Sequence, residues 1–497
     1  MGTVKCELDK IVIKGNKFFN SRTGDQFFFK GVDYQPRNGE LKEEYDPLAD
    51  INACRRDIEE LRLMGVNSIR VYRTDSSKNH DECMKEFEKA GIYVLLDLPN
   101  PHYSINRVNP YFDTEMAQNF INKINAFANF NNVIAFLVGN EVTNDSTNTP
   151  ASAFVKIAAK TVKSHLKRIN RNIHVGYADN DDETIREYMI NYFNCGDDPE
   201  ARIDFYGVNT YRWCGKDTTF KSSGFEQMVL PFKDYSIPVI LTEFGCNKFR
   251  PRDFHEVKSI LGSDLNEILS GGFVYEYTQE DNDYGLVELD PNTQEIIKHI
   301  DSKYLAEAYK FEPKTNYKLD KYNPKLSPAQ CPEPDEIWKV KNVKQTIPDD
   351  SFCKCAMDSL KCRIAPGVKL SNTVNESLGK NIDFLCSKIG CEEISHDTKK
   401  GIYGPYSFCS PLERASIVLN KNYLKNKESK EACRNNEFSL KIIESPKYSF
   451  EKCSPISTPT FDSKPEEPTS STQTNIKKIS KNQKWNKKLF IIKIKKI

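Results

Sequence analysis

Between residues 27 and 300 one pattern recurs: a short apolar run rich in β-branched and aromatic residues, then a longer stretch of helical period. The runs are "FFFKGVDYQ" (27–35), "SIRVY" (68–72), "YVLLDL" (93–98), "VIAFLV" (133–138), "HVGYA" (174–178), "DFYGVNTY" (204–211), "PVILTEFG" (238–245) and "GGFVYEY" (271–277). A typical intervening stretch, "DINACRRDIEELRLMG", places apolar residues at Ile51, Cys54, Ile58, Leu61, Leu63 and Met64 and ends in Gly65, a suitable helix stop. Strand–helix alternation repeated eight times is what a (β/α)8 (TIM) barrel requires. A doubly wound open sheet is the structural alternative, but no Gly-rich phosphate loop follows any early strand.

The texture changes past the barrel region, 10–310. Residues 311–350 are polar and Pro-containing and read as a linker packing on the barrel. Of the 15 cysteines, nine fall between Cys331 and Cys453. Their spacings, such as Cys353-Cys355-Cys362 and Cys386-Cys391, lack the CxxC pairs and histidines of a zinc site, so residues 351–453 read as a disulfide-stapled module. That chemistry belongs to an oxidising compartment. The sequons at Asn144 and Asn375 agree with it, although "MGTVKCELDK" carries no apolar signal core. Residues 454–497 are Pro/Ser/Thr-rich and then basic, and read as a disordered tail. With 71 basic and 70 acidic side chains, no global field favours nucleic acid. No apolar run approaches the roughly 18 residues of a membrane span.

Catalytic groups of such barrels stand where strands end, on one face. The strand ends here offer Tyr72, Asp97, Asn140 with Glu141, Tyr211, Glu243, and Tyr275 with Tyr277. Glutamates ending the fourth and seventh strands suit glycosidic cleavage with retention. One protonated carboxyl serves the leaving oxygen, and one carboxylate attacks the anomeric carbon from about 5–5.5 Å away. Mutual repulsion and partial burial are expected to raise the pKa of one glutamate, the one that acts as acid. Asn140 is placed to meet the sugar 2-hydroxyl. Asp97 either positions a catalytic group or pairs with Arg70 or Arg73. His102, on a rim loop, reads as structural.

The blocks "GVDYQP", "DPLAD", "IRVY", "YVLLDLPNPHYSINR", "VGNE", "NTYRWCG", "LTEFGCN" and "VYEYTQEDNDYGLV" resemble, in order, the fungal β-1,3-glucanosyltransferases of glycoside hydrolase family 72, the Gas/Gel/Phr type. "CKCAMDSLKC" and "YGPYSFCSPLERASIVLN" resemble that family's cysteine-box module, the X8 or family-43 carbohydrate-binding module. The resemblance implies Glu141 as acid/base and Glu243 as nucleophile, with Gln35, Tyr72, Asp97, Asn140, Tyr211 and Tyr275 lining the donor site. It implies the disulfides Cys54–Cys83, Cys195–Cys331, Cys214–Cys246, Cys353–Cys409, Cys355–Cys453, Cys362–Cys433 and Cys386–Cys391, leaving Cys6 over.

The implied reaction cuts an internal β-1,3 bond through a covalent glucosyl-enzyme. The new reducing end then passes to the non-reducing end of a second β-1,3-glucan, so the chain lengthens. Tyr72, Tyr211 and Tyr275 are read as faces on which pyranose rings stack. β-1,3-Glucan is both donor and acceptor; no metal, cofactor or nucleic acid is called for, and a monomer is expected. The family is extracellular at the cell wall, commonly lipid-anchored, yet the apolar "LFII" near the end is broken by Lys493. In the module, Ile417 stands where relatives often have an aromatic, so Tyr403, Tyr406 and Phe408 become candidate sugar platforms, with core packing the role of at least one. The alternatives are a hydrolase using the same glutamates and a non-catalytic glucan-binding wall protein.

Overall fold

The computed structural model describes residues 8–36, 45–369, 372–435, 438–448 and 453. Cys6 and the tail 454–497 lie outside the described residues, as does the side chain of Asn375. All eight expected strands form: β1 (Phe29–Asp33), β2 (Ser68–Val71), β3 (Tyr93–Asp97), β4 (Val133–Asn140), β5 (His174–Asn180), β6 (Phe205–Asn209), β7 (Val239–Phe244) and β8 (Leu269–Val274). Every neighbouring pair is parallel, and β8 pairs with β1 to close the barrel. The open-sheet alternative is therefore excluded.

A helix follows each strand: α1 (Ile51–Leu63), α2 (Asp81–Lys89), α3 (Thr114–Phe127), α4 (Ala151–Arg168), α5 (Arg186–Phe193), α6 (Phe225–Val229), α7 (Glu256–Leu261) and α8 (Ile300–Ala308). In α1 the Asp50 side chain caps the first turn by accepting from the amides of Asn52 and Ala53. Gly65 leaves the helix at φ +76, a conformation that other residues adopt at a cost.

Alternation along each strand sorts the side chains. On β2, Ile69 and Val71 face the helices, whereas Arg70 is wholly buried inside the barrel. The interior is packed by Phe29, Tyr93, Leu95, Leu137, Phe205 and Phe273. A hairpin of Ile11–Lys14 and Lys17–Asn20 plugs the end where the strands begin, its Phe18 ring set edge-on to Phe29 at 5.1 Å and Phe205 at 5.8 Å. Space for these rings comes from small neighbours: a Cβ at Gly176 would lie 2.3 Å from the Phe205 ring. With that end filled, the open end is the rim where the strands finish.

Beyond α8 the chain runs as an irregular strap over the barrel. Cys331 of the strap bonds to Cys195, and Trp338 is wholly buried, stacked on Tyr188 at 5.8 Å and set against Tyr192 at 5.1 Å. Its indole Nε1 donates to the Val340 carbonyl at 2.7 Å. The C-terminal module then packs α9 (Asp350–Ser359), α10 (Asn372–Ile389) and α11 (Pro411–Lys425) with two short ladders. Ser410 and Glu413 form a capping box at the start of α11. Four disulfides staple this module: Cys353–Cys409, Cys355–Cys453, Cys362–Cys433 and Cys386–Cys391. It docks on the barrel through the Thr114 amide, which donates to the Phe408 carbonyl at 2.9 Å, and through Phe154 edge-on to His396 at 4.8 Å.

The module's aromatics do not stand out as platforms. Tyr406 and Phe408 are buried, with Tyr406 stacked on Phe352 at 4.9 Å, and Tyr403 is half-buried between Phe154 and Phe408. Ile417 sits in the same small core as Phe352 and Tyr406, so its identity bears on packing rather than on a sugar-facing surface.

Candidate active site

Apolar β4 ends in Asn140, and Glu141 follows with φ 47, the left-handed region that costs a non-glycine residue strain. The surrounding contacts hold this turn. The Glu141 amide donates to the Ala178 carbonyl at 2.9 Å, and Arg107 donates to the Glu141 carbonyl at 2.7 Å. The chain thus swings out of the strand at the residue whose carboxylate enters the rim.

Glu243, on β7, is 8% exposed. Its Oε1 accepts from the Tyr72 hydroxyl at 2.8 Å and Arg70 Nη1 at 3.2 Å, and its Oε2 accepts from the Tyr211 hydroxyl at 2.7 Å. Arg70 is the hub beneath both glutamates. Its Nε and Nη2 grip Asp97 at 3.0 and 2.9 Å, Nη2 also reaches Asn140 Oδ1 at 3.0 Å, and Nη1 reaches the Thr242 carbonyl at 3.1 Å. Together with Glu243 these partners use all five guanidinium N–H groups. Asn209, at the end of β6, joins the two halves: its Nδ2 donates to Asn140 Oδ1 at 3.0 Å and Glu141 Oε1 at 2.9 Å, while its Oδ1 accepts from Thr242 at 2.7 Å. Asn140 Oδ1 is therefore doubly occupied, and its Nδ2 meets no acceptor among the described residues.

Burial raises the Glu243 carboxyl above its ordinary range; Arg70 opposes this, the charge of Glu141 adds to it, and the Tyr211 and Tyr72 hydroxyls oppose it further. The carboxyl that burial lifts is thus Glu243, the one matched to the nucleophile. The direction suits attack: three donors sustain the ionised form, and exclusion of water leaves it basic.

Asp97 is 4% exposed with both oxygens on Arg70, so it lies beneath the cleft and holds the hub in place. Of the two roles left open, the structure shows the ion pair, with Arg70 and not Arg73 as partner. Tyr72 and Tyr211 likewise meet Glu243 with their hydroxyls; Tyr72 further covers the Arg70 guanidinium at 4.3 Å. Tyr275 stands edge-on to Tyr72 at 6.5 Å and Tyr211 at 6.2 Å, and Tyr284 extends this wall at 5.2 Å from Tyr275. Gln35 is fixed by its Oε1, which accepts from the Arg73 amide at 2.8 Å. Tyr277 is no part of the rim: it is wholly buried and its hydroxyl donates to Asp57 at 3.1 Å.

Sequence reasoning passed over Arg70 as a site residue, and Asn209 and Asp33 altogether. Arg70 had a signal, a lone cation inside an apolar strand. Asn209 ends β6 as Asn140 ends β4. Asp33 ends β1, is wholly buried, and neither of its oxygens makes a hydrogen bond of full geometry among the described residues, although the Tyr72 hydroxyl acts on it. Burial holds its carboxyl well above the usual range, Arg70 pulling the other way and Glu243 and Asp97 pushing it further up.

The cysteines named above meet pairwise, including Cys54–Cys83 and Cys214–Cys246 in the barrel. Among the described residues one grouping has metal-ligand reach, Cys353, Cys409 and Glu413, and its thiols are consumed in a disulfide. Asn144 is half-buried and its Oδ1 is held by Asn148 Nδ2 at 2.6 Å, so the sequon nearest the site is engaged within the fold.

A glutamate pair on the rim of a (β/α)8 barrel, with one member clamped by three donors, defines the glycoside hydrolase class of site. The chain belongs to the glucanosyltransferase family of that class: residues 2–311 match the family, and residues 360–439 match the X8 domain. It is 39% identical over 444 residues to a 1,3-beta-glucanosyltransferase of Arthroderma benhamiae, covering 84% of this chain and 80% of that one. It is 39% identical over 431 residues to the 1,3-beta-glucanosyltransferase GAS2 of Saccharomyces cerevisiae, covering 84% and 76%. A substituted Saccharomyces cerevisiae Gas2p in complex with laminaritetraose and laminaripentaose superposes with a TM-score of 0.80 at 37% identity, over 88% of this chain and 95% of that one.

Proposed function

We propose that this chain is a retaining β-1,3-glucanosyltransferase that lengthens cell-wall glucan. The observation that carries the reading is the clamp on Glu243: Arg70, Tyr72 and Tyr211 aim a buried carboxylate at the cleft beside Glu141. Glu243 attacks the anomeric carbon of an internal β-1,3 bond. The glycosidic C–O bond breaks, Glu141 gives its proton to the leaving oxygen, and a glucosyl ester of Glu243 forms. Asn140 offers its free Nδ2 to the 2-hydroxyl. The 3-hydroxyl at the non-reducing end of a second glucan then loses its proton to Glu141, bonds to the anomeric carbon and frees Glu243.

Tyr275 and Tyr284 supply the ring faces against which sugars pack, while Tyr72 and Tyr211 serve through their hydroxyls. Gln35 lines the same donor region. The division proposed is a catalytic barrel at 10–310, a linker at 311–350 and a cysteine-rich module at 351–453. Seven disulfides support an extracellular setting at the cell wall.

Incubation with a reduced laminari-oligosaccharide, followed by mass analysis of product lengths, tests the reading. Products longer than the starting chain are expected. Exclusively shorter products would make the chain a hydrolase, and unchanged substrate would make it a binding protein.

A further inference from the structure

The two glutamates are held in different ways. Glu243 is aimed through its side chain, by the Tyr72 and Tyr211 hydroxyls and by Arg70. Among the described residues one hydrogen bond reaches the Glu141 carboxyl, from Asn209 Nδ2 to Oε1 at 2.9 Å, and Oε2 meets no donor. The aim of this carboxyl is therefore set by its backbone, which stands at φ 47. A residue other than glycine persists in that region only where its surroundings over-determine it. The Ala178 carbonyl accepts from the Glu141 amide; on the carbonyl side the donor is Arg107 Nη2, at 2.7 Å.

Arg107 comes from the loop between β3 and α3, which has no regular structure and yet is tied down on both sides of the arginine. Ile105 and Phe112 are buried in the main apolar core, Phe112 edge-on to Phe120 at 5.4 Å. Asn106 Oδ1 accepts from the Val108 and Asn109 amides at 2.8 and 3.0 Å, closing a turn around Arg107 itself. The far side of the loop forms one wall of a crevice of about 670 Å³ between barrel and module, where Tyr111 lies under the Arg414 guanidinium at 5.2 Å. The loop is thus a fixed frame from which one exposed side chain, Arg107, reaches across to the end of β4.

A guanidinium on a carbonyl is a charge-assisted hydrogen bond, stronger than one between neutral groups. We propose that Arg107 is a positioning residue for proton transfer. By gripping the Glu141 carbonyl it holds the carboxyl where it protonates the leaving oxygen and later takes the proton of the acceptor. It acts through the Glu141 backbone rather than on the sugar. The inference rests on the transferase reading for the role of Glu141.

A leaving group that needs no proton separates this role from a structural one. Dinitrophenolate departs as the anion when Glu243 attacks, so the Glu243 ester forms without an acid, whereas a sugar oxygen must be protonated as it leaves. In the full chain, Arg107→Ala is expected to lower kcat for transfer between laminari-oligosaccharides about a hundredfold with KM unchanged, the cost of misplacing a reacting group by about 1 Å. The first-turnover burst of dinitrophenolate from a dinitrophenyl laminari-oligosaccharide stays at the parent rate. Arg107→Lys restores most of the transfer, because a single carbonyl needs one N–H and not the guanidinium fork. Arg107→Met, which keeps the stem and loses the donors, gives the same split as Arg107→Ala and replaces it if the alanine chain does not fold. Equal losses with both substrates, a rise in KM alone, or no loss at all overturns the proposal. The parent reads the underlying reaction by itself. A parent that only hydrolyses overturns transfer and keeps this test, with hydrolysis measured in its place, because water also needs Glu141 as base. A parent inert toward both substrates overturns the catalytic reading and this proposal with it.

Discussion

Replacing Tyr211 by phenylalanine keeps the ring that packs edge-on to Tyr275 and Tyr284 and removes the hydroxyl that donates to Glu243 Oε2 at 2.7 Å. Oε1 retains Tyr72 and Arg70, whereas Oε2 loses its hydrogen bond. A hydrogen bond to a charged group contributes about 1.5–3 kcal/mol, and about 1.4 kcal/mol corresponds to one pKa unit. Tyr211 favours the ionised carboxylate, so its loss adds to the upward push of burial by about one to two units. Attack requires the ionised form, so the acidic limb of kcat/KM, which reports the free enzyme, moves to higher pH by that amount. At pH values below the displaced limb, transfer falls about tenfold or more; above it, most activity returns. The assay is initial transfer rate against pH on a reduced laminari-oligosaccharide. An acidic limb that stays in place while KM rises would refute the reasoning and return Tyr211 to the role of a stacking face.

Asp33→Asn copies the neutral carboxyl that burial favours at this position. Because the folded pKa is raised above the unfolded value, the wild type loses stability as pH climbs from the ordinary carboxylate range toward the folded pKa. The variant escapes that loss, so it should melt with the parent near pH 4 and above the parent near pH 7; a deficit of equal size at both would mean the carboxyl is not held neutral. Asp97→Ala strips both acceptors from one edge of a fully buried guanidinium. Breaking a buried pair from one side costs about 3–5 kcal/mol, so thermal melting should fall and kcat with it, as Arg70 no longer aims Glu243; an unchanged melting curve would show that Arg70 does not depend on Asp97.

The barrel was legible because its signal is local: each strand is a short apolar run and each helix carries its own period and stop, as at Gly65. The rim glutamates were legible for the same reason, since a strand end fixes which face a residue joins. Depth was not. Nothing in "YVLLDL" tells whether Asp97 reaches a sugar or ends on Arg70, because that depends on a side chain from the neighbouring strand. Nor does a tyrosine at a rim declare whether its ring or its hydroxyl is used; Tyr72 and Tyr211 turned out to serve Glu243. In the module, Tyr406 and Phe408 looked available only because a small disulfide-rich core is hard to count from sequence. The crevice was invisible altogether, being made by segments that meet only after the module has docked.

The strap has a practical meaning for where this enzyme stops. Its family match ends at residue 311, yet the barrel's own surface is finished only further on, by Cys331 and by the indole of Trp338 wedged against α5. A chain cut at the sequence boundary would carry an orphan thiol at Cys195 and an open apolar socket beside Tyr192. The smallest excisable catalyst therefore extends past Val340, and the module begins only ten residues later, at Asp350, so cutting the two apart leaves almost no spare chain between them.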